Sequence, residues 1–348
     1  MPPHSSPSLS PFPFPPYSLS HEDRTASAPR QNVSHRVRLS RIERVTGDFL
    51  PGQWLDVFIP GLTKAGGFTI TSTPDQARPA AADSLEPFDE EEQSGGGGGY
   101  VELAVQKNTN NPHAAWLWRP EMEIINTVLE VRVGGSFVYP PSSGIDPGSI
   151  GKLVLVAGGV GIKIQTAEVV NVSKAVRPLI SILSHLHQTS SLPEKVWVLY
   201  SIRSPCSSPS ELTLSSVLFL PRLYEIARTA GSQPSNLDTS RVQISLHLTS
   251  IGHHENILSS ASVNPWYPLI CTRYARITQA DILTAVDDSV EHFLQTRESQ
   301  AKTSPKKEPK KHTVAYVCGP QEMTDSVVKT LQGLENMDAD KVFCERWW

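Results

Sequence analysis

The sequence predicts two units in tandem: an antiparallel β-barrel over residues 33–145, then an α/β unit built on a doubly wound parallel sheet over residues 150–348. Three observations carry this. Short β-branched and aromatic runs at period two, bounded by Gly and Pro, fill the first half. From Lys152 onward, continuous apolar runs alternate with helical patterns, as βαβ units require. A chain of 348 residues is also long enough for about two domains.

Residues 1–32 stand apart. Proline and serine dominate, and no apolar period survives. Proline fixes φ and removes backbone donors, so the stretch reads as a disordered leader. Its serines, with Arg24, Arg30, Arg36 and Arg38 nearby, give it some of the composition of an organelle transit peptide, and a mitochondrial destination is one expectation. Glu22, Asp23 and the missing amphipathic helix fit a plain tail on a cytoplasmic protein equally well.

The barrel strands read in order as HRVRLSRIERVT, QWLDVFIP, GGFTITSTP, YVELAVQ and TVLEVRVGGSFVY. Short strands at this spacing predict a small antiparallel barrel. Asp75–Gly99 interrupts them with an acidic run (89–92) and five glycines (95–99), which reads as a solvated flexible loop.

The second unit opens on KLVLVAGG, an apolar run suited to a buried parallel strand. There follow LISILSHLH (helix), KVWVLYSIR (strand), a helix near Leu212–Ala230, VQISLHLTS (strand), a helix near Gln279–Leu294 capped by Thr278–Asp281, TVAYVCGP (strand), a helix over Gln321–Leu334 and a last strand KVFCERWW. The stretch 299–312, rich in lysine and broken by Pro305 and Pro309, reads as a solvated linker.

Composition excludes several classes. There are 31 basic and 35 acidic residues, a net charge of −4, which argues against nucleic acid as a partner. No run approaches the ~18–20 apolar residues needed to span a bilayer. The four cysteines, Cys206, Cys271, Cys318 and Cys344, form no CxxC pair, so neither a disulfide scaffold nor a metal site is expected.

Four segments carry chemistry. In LVLVAGGVGI (153–162) an apolar strand ends in Gly158, Gly159 and Gly161. Glycine there allows close approach of a pyrophosphate, which the next helix N-terminus favours; a turn that needs positive φ is the alternative. In VAYVCGPQEM (314–323) a strand delivers Cys318 to its carboxyl end before a Gly319–Pro320 turn. Ligands bind outside such ends, although a lone cysteine there also serves as a small core residue. The chain ends on Trp347 and Trp348, indoles that need cover from the core or from a planar ligand. The fourth segment is GGFTITSTP (66–74).

These four pieces, in this order, resemble the ferredoxin–NADP reductase superfamily, and within it the oxidoreductase NAD-binding-domain-containing branch. NNPHAAWLW (110–118) and VRVGGSFVY (131–139) share that resemblance, which runs from about His35 to Trp348. It implies an N-terminal antiparallel flavin-binding barrel followed by a doubly wound dinucleotide-binding domain, with hydride passing between NAD(P)H and a bound FAD or FMN. Phe68 and Thr69 then match the aromatic and hydroxyl residues of the family's Arg-x-Tyr-Ser flavin motif. Gly158, Gly159 and Gly161 match the dinucleotide-phosphate turn, and Cys318 the cysteine beside the nicotinamide, with Gly319 and Pro320 completing that turn. Glu345 matches the C-terminal acidic residue near the flavin edge, a proton relay. Trp347 or Trp348 matches the aromatic that covers the flavin face. Tyr200, Ser201 and Arg203 follow the second strand of the dinucleotide domain, where Arg203 could meet an adenosine phosphate. No cluster or haem motif is present, so the electron acceptor is expected to be a separate molecule, such as another redox protein.

Two departures bear on activity. Gly66 stands where the family motif has its phosphate-binding arginine, removing a contact worth ~1.5–3 kcal/mol; a non-catalytic protein that keeps the fold is the alternative this supports. Residues 163–177 also separate Ile162 from PLISILSHLH, where the family has one residue. The stretch reads either as a retained intron or as a genuine insertion, and a spliced message that still encodes it would refute the first reading.

Overall fold

The computed structural model describes residues 18–20, 34–40, 49–78, 99–159, 175–206, 208–230, 241–249, 266–287 and 311–347. The first unit is two three-stranded antiparallel sheets facing each other. One has the order β1 (Ser18–Ser20), β2 (Ser34–Ser40), β5 (Tyr100–Gln106); the other has β4 (Gly66–Thr69), β3 (Trp54–Phe58), β6 (Glu130–Gly134). An Ile70–Leu103 bridge links them. Alternation sends Val37, Leu39, Leu55, Val57, Phe68 and Leu103 into one shared core. Each such burial contributes ~1.5–3 kcal/mol.

Strand β1 lies inside the expected leader. Tyr17–Ser20 follows Pro15 and Pro16, and a stretch free of proline can donate to an edge, so Ser18–Ser20 pairs with Arg38–Ser40 of β2. The expected 75–99 loop is shorter than drawn, because Asp75–Ala77 forms a 3-10 turn that seats Ala77 in the barrel core. Residues 79–98 lie outside the described residues. Two helices not anticipated from the sequence, α1 (Pro112–Leu117) and α2 (Glu121–Ile124), cover one end of the barrel. Asn111 caps α1 by accepting from the His113 and Ala114 amides at 3.0 and 3.1 Å, with Pro112 in the first turn.

The second unit is a six-stranded, wholly parallel sheet in the order β10-β9-β8-β7-β11-β12. Its strands are β7 (Ile150–Gly158), β8 (Lys195–Arg203), β9 (Val242–Thr249), β10 (Ile270–Arg273), β11 (His312–Pro320) and β12 (Val342–Trp347). Helices α3 (Val176–Gln188) and α4 (Leu220–Ala230) pack on one face. Helices α5 (Gln279–Val286) and α6 (Gln321–Gln332) pack on the other. Strand order reverses between β7 and β11, which makes their carboxyl ends the topological switch point.

Boundaries differ in four places. Helix α4 starts at Leu220 rather than Leu212, because Phe219 sits at φ 61°, outside helical space. Helix α5 ends by Asp287, and the rest of the 279–294 expectation lies outside the described residues. The described part of the 163–177 stretch, Ala175–Arg177, belongs to the start of α3. Strand β11 takes His312 from the 299–312 linker.

The two units meet along the α3/α4 face. The Ser181 hydroxyl donates to the Ser72 carbonyl at 2.8 Å, and Thr73 donates to Gln188 at 2.6 Å. Tyr316 donates to the Val138 carbonyl at 2.7 Å, inside an aromatic group with Phe137, Tyr139 and Phe343. Gly52, at φ 99°, passes so close to the Phe137 carbonyl and Ile182 that a side chain there has no room.

Candidate functional site

The site begins at the switch point. Parallel register places Tyr200, Ala157, Cys318 and Glu345 side by side across β8, β7, β11 and β12. In-register neighbours point to the same face, here the face that carries α3 and meets the barrel. Tyr200 and Cys318 are buried among the core residues of that face. Glu345 is half-buried at the row's end, and loss of water lifts its carboxyl from the usual 4.5 to about 7. Such a group holds or releases a proton near neutrality.

The neighbouring row begins with Gly158, paired with Ser201, and the Gly159 amide then turns to donate to the Ser201 carbonyl at 2.7 Å. A Cβ on Gly158 would fall on Met323 Sδ, so this glycine makes room for a side chain of α6, and Gly158 does not adopt positive φ. Gly319 and Pro320 pair with Arg346 and Trp347. Gly161 and Trp348 lie outside the described residues, as does the Trp347 side chain. Arg203, half-buried, pairs with Thr249 at the end of β8.

Arg177, missed from the sequence, completes this end of the cleft. It occupies the first turn of α3, is 5 % exposed, and its Nε and Nη2 have no hydrogen-bond partner among the described residues. Burial lowers its pKa to about 10, against the pull of Tyr200 and Cys318. The sequence signal was available, since Arg177 directly precedes the Pro178 that opens the family-like helix, but it fell within the stretch read as an insertion.

No family model matches the sequence. The chain is 27% identical over 346 residues to oxidoreductase NAD-binding domain-containing protein 1 of Xenopus laevis, covering 94% of this chain and 84% of the relative. The FAD/NAD binding domain of nitric oxide dioxygenase from Vibrio cholerae superposes with a TM-score of 0.53 at 14% identity, covering 96% of this chain and 98% of that one. The cytochrome b5 reductase domain of Ulva prolifera nitrate reductase gives 0.52 at 15% identity, over 98% and 100%. The fold, a small antiparallel barrel followed by a parallel α/β unit, is that of these FAD/NAD-binding and cytochrome b5 reductase domains.

The barrel supplies the other wall. Thr69 is buried, pairs with Trp54 across β3–β4, and follows Phe68, whose ring lies in the barrel core. Trp54 rides so closely over Gly134 and Gly135 that a Cβ there would come within 2.9 and 2.7 Å of its ring. At Gly66, the arginine position of the family motif, a Cβ would meet the His113 ring at 2.5 Å. His113 bonds the Lys64 carbonyl through Nε2 at 2.5 Å. These two residues, with Thr63, Asn110 and Asn111, help line an open pocket of about 440 Å3. The barrel thus gathers Lys64, Asn110, Asn111 and His113 around a pocket on the Gly66 side, where the family motif has an arginine on β4, and the α/β unit offers a buried guanidinium. Both fit a ligand that carries phosphate.

Proposed function

We propose that this protein is a flavin-dependent oxidoreductase that moves hydride between NAD(P)H and a bound FAD or FMN and passes the electrons to a separate acceptor. The observation that carries this reading is the Cys318–Glu345 pair at the switch point, on the sheet face that meets the barrel. A bound flavin supplies the two-electron centre; the protein supplies alignment, exclusion of water and proton control. Cys318 and Tyr200 form a dry floor at the carboxyl edge of the sheet. Glu345 keeps a proton available near neutral pH. The Thr69 hydroxyl forms the barrel side, with Trp54 beside it and the Phe68 ring behind it in the barrel core. Gly158, Gly159 and Gly161 serve the dinucleotide phosphates, with Gly319 and Pro320 at the nicotinamide end. Arg203 reads an adenosine phosphate, and Trp347 or Trp348 covers the exposed flavin face. The composition of residues 1–32 supports a mitochondrial destination, which import of the tagged full chain into isolated mitochondria tests.

The deciding experiment is the visible spectrum of the purified chain, with NADH and NADPH oxidation followed against an artificial acceptor. Flavin bands that bleach with either nucleotide are expected. Colourless protein that riboflavin nucleotides cannot reconstitute, both with and without residues 163–177, overturns the reading. A second reading, a non-catalytic dinucleotide-binding protein, is favoured by Gly66 and the His113 ring packed against it. It predicts nucleotide binding with no bleaching and no turnover.

A further inference from the structure

We infer that Arg177 is the anion receptor of the dinucleotide cleft and binds the diphosphate bridge of the nucleotide. The inference rests on the nucleotide-binding reading above but names a residue that the glycine turn does not supply. Three observations converge on it.

The first is the state of the side chain. A buried guanidinium carries five donors and keeps its charge, so proteins bury it against a carboxylate or a set of carbonyls. Arg177 is 5 % exposed, forms no ion pair among the described residues, and leaves Nε and Nη2 without acceptors there. The same fold pairs its interior cation Arg222 with both oxygens of Glu102. Arg177 differs by having donors and charge committed to nothing.

The second is position. Arg177 lies in the first turn of a 13-residue helix, the end whose dipole favours an anion. That helix follows β7, whose Gly158–Gly159 end is the switch-point strand. The third is the neighbourhood. Tyr200 and Cys318, near neighbours of Arg177, sit at the carboxyl ends of β8 and β11 on either side of β7. A planar fork there suits two oxygens of a diphosphate, and no acidic side chain among the described residues competes for it.

The test compares the full-length wild type with Arg177→Met, Arg177→Gln and Arg177→Lys, using inorganic pyrophosphate and ADP-ribose as probes. Calorimetry gives affinity and thermal unfolding gives the ligand-induced shift. The Met and Gln variants should melt at or above the wild-type temperature without ligand, because an uncompensated charge has gone. They should bind both probes about 10- to 100-fold more weakly, whereas Lys keeps most of the affinity. Equal affinity in wild type and the uncharged variants overturns the assignment, as does a wild type that binds neither probe. If only Met and Gln fail to fold, wild-type affinity for both probes in the Lys variant supports it, and loss of binding in a folded Lys variant with no pyrophosphate shift overturns it. Pyrophosphate binding that depends on Arg177, in a protein that binds no nicotinamide dinucleotide, upholds the receptor and removes the oxidoreductase reading instead.

Discussion

Arg222 of α4 grips Glu102 of β5 across the boundary between the two units, its Nη2 lying 2.8 and 3.0 Å from the two carboxylate oxygens. Glu102 is 1% exposed, and it also accepts the Thr71 hydroxyl at 2.8 Å. Arg222 Nη1 donates to the Thr71 carbonyl at 3.0 Å. Thr71 lies two residues beyond Thr69, so the latch ties the end of β4 to the α/β unit. Arg222→Met would take from a buried carboxylate the cation that bonds both its oxygens, at a cost of about 3–5 kcal/mol. The double variant Arg222→Met/Glu102→Leu should recover much of that loss in urea melts. A cost below ~0.5 kcal/mol for Arg222→Met would show that the pair holds nothing together.

Glu102 also marks where sequence reading runs out. The run YVELAVQ looks like a half-exposed strand with Glu102 in water. The structure buries both faces: Ala104 joins the core of the α/β unit, and Arg222, 120 residues along the chain, bonds Glu102. Period-two alternation reports one covered face and carries nothing about a second domain. Strands β7 and β11 were legible for the complementary reason: a parallel strand buried on both sides writes a continuous apolar run. The glycines of β7 were legible as a turn, but the need at Gly158 comes from Met323, whose proximity no local pattern encodes. Arg177 was obscured because the segment before it breaks the expected spacing. His113 was obscured because its partner, the empty side-chain position of Gly66, is an absence in the sequence.

Gly66→Ala tests that last relationship. The added methyl would stand 2.5 and 2.6 Å from His113 Cγ and Cβ, the near part of a ring already tied to the Lys64 carbonyl. The ring cannot yield without losing that bond, so overpacking of about 1–3 kcal/mol is expected. Gly66→Ala/His113→Ala should cost less than the two single changes added together. Additive costs in chemical denaturation would refute the contact.

Cys318 should be the silent thiol. It is fully buried, while Cys206, Cys271 and Cys344 are half-buried, and none of the four forms a disulfide among the described residues. A thiol in a dry floor reacts only when the structure opens. Ellman titration of the native chain should leave one cysteine unreacted until denaturant is added. Cys318→Ala should remove that slow class and leave the fast one unchanged. Labelling of Cys318 at the rate of the others would mean that the floor is open to solvent.

Glu345 gives a pH signature whose sign can be derived. Burial raises its carboxyl pKa from 4.5 to about 7, so between those values the folded chain holds a proton that the unfolded chain has released. Stability then falls as pH rises wherever the native state binds more protons. The contribution is therefore most favourable below pH 4.5, is lost progressively toward pH 7, and is a constant penalty above it. Glu345→Gln removes the titration while keeping the shape. Melting temperatures of wild type and variant should nearly coincide at pH 5, and the variant should melt higher at pH 8. The difference isolates this group from all others that titrate in the same range. The same carboxyl should appear in turnover as a limb near pH 7 that the Gln variant lacks, because a group that gives up its proton there ceases to act as an acid. A melting difference that stays flat from pH 5 to pH 8 would mean that Glu345 ionises as an ordinary surface carboxylate, and the proton-relay role would go with it.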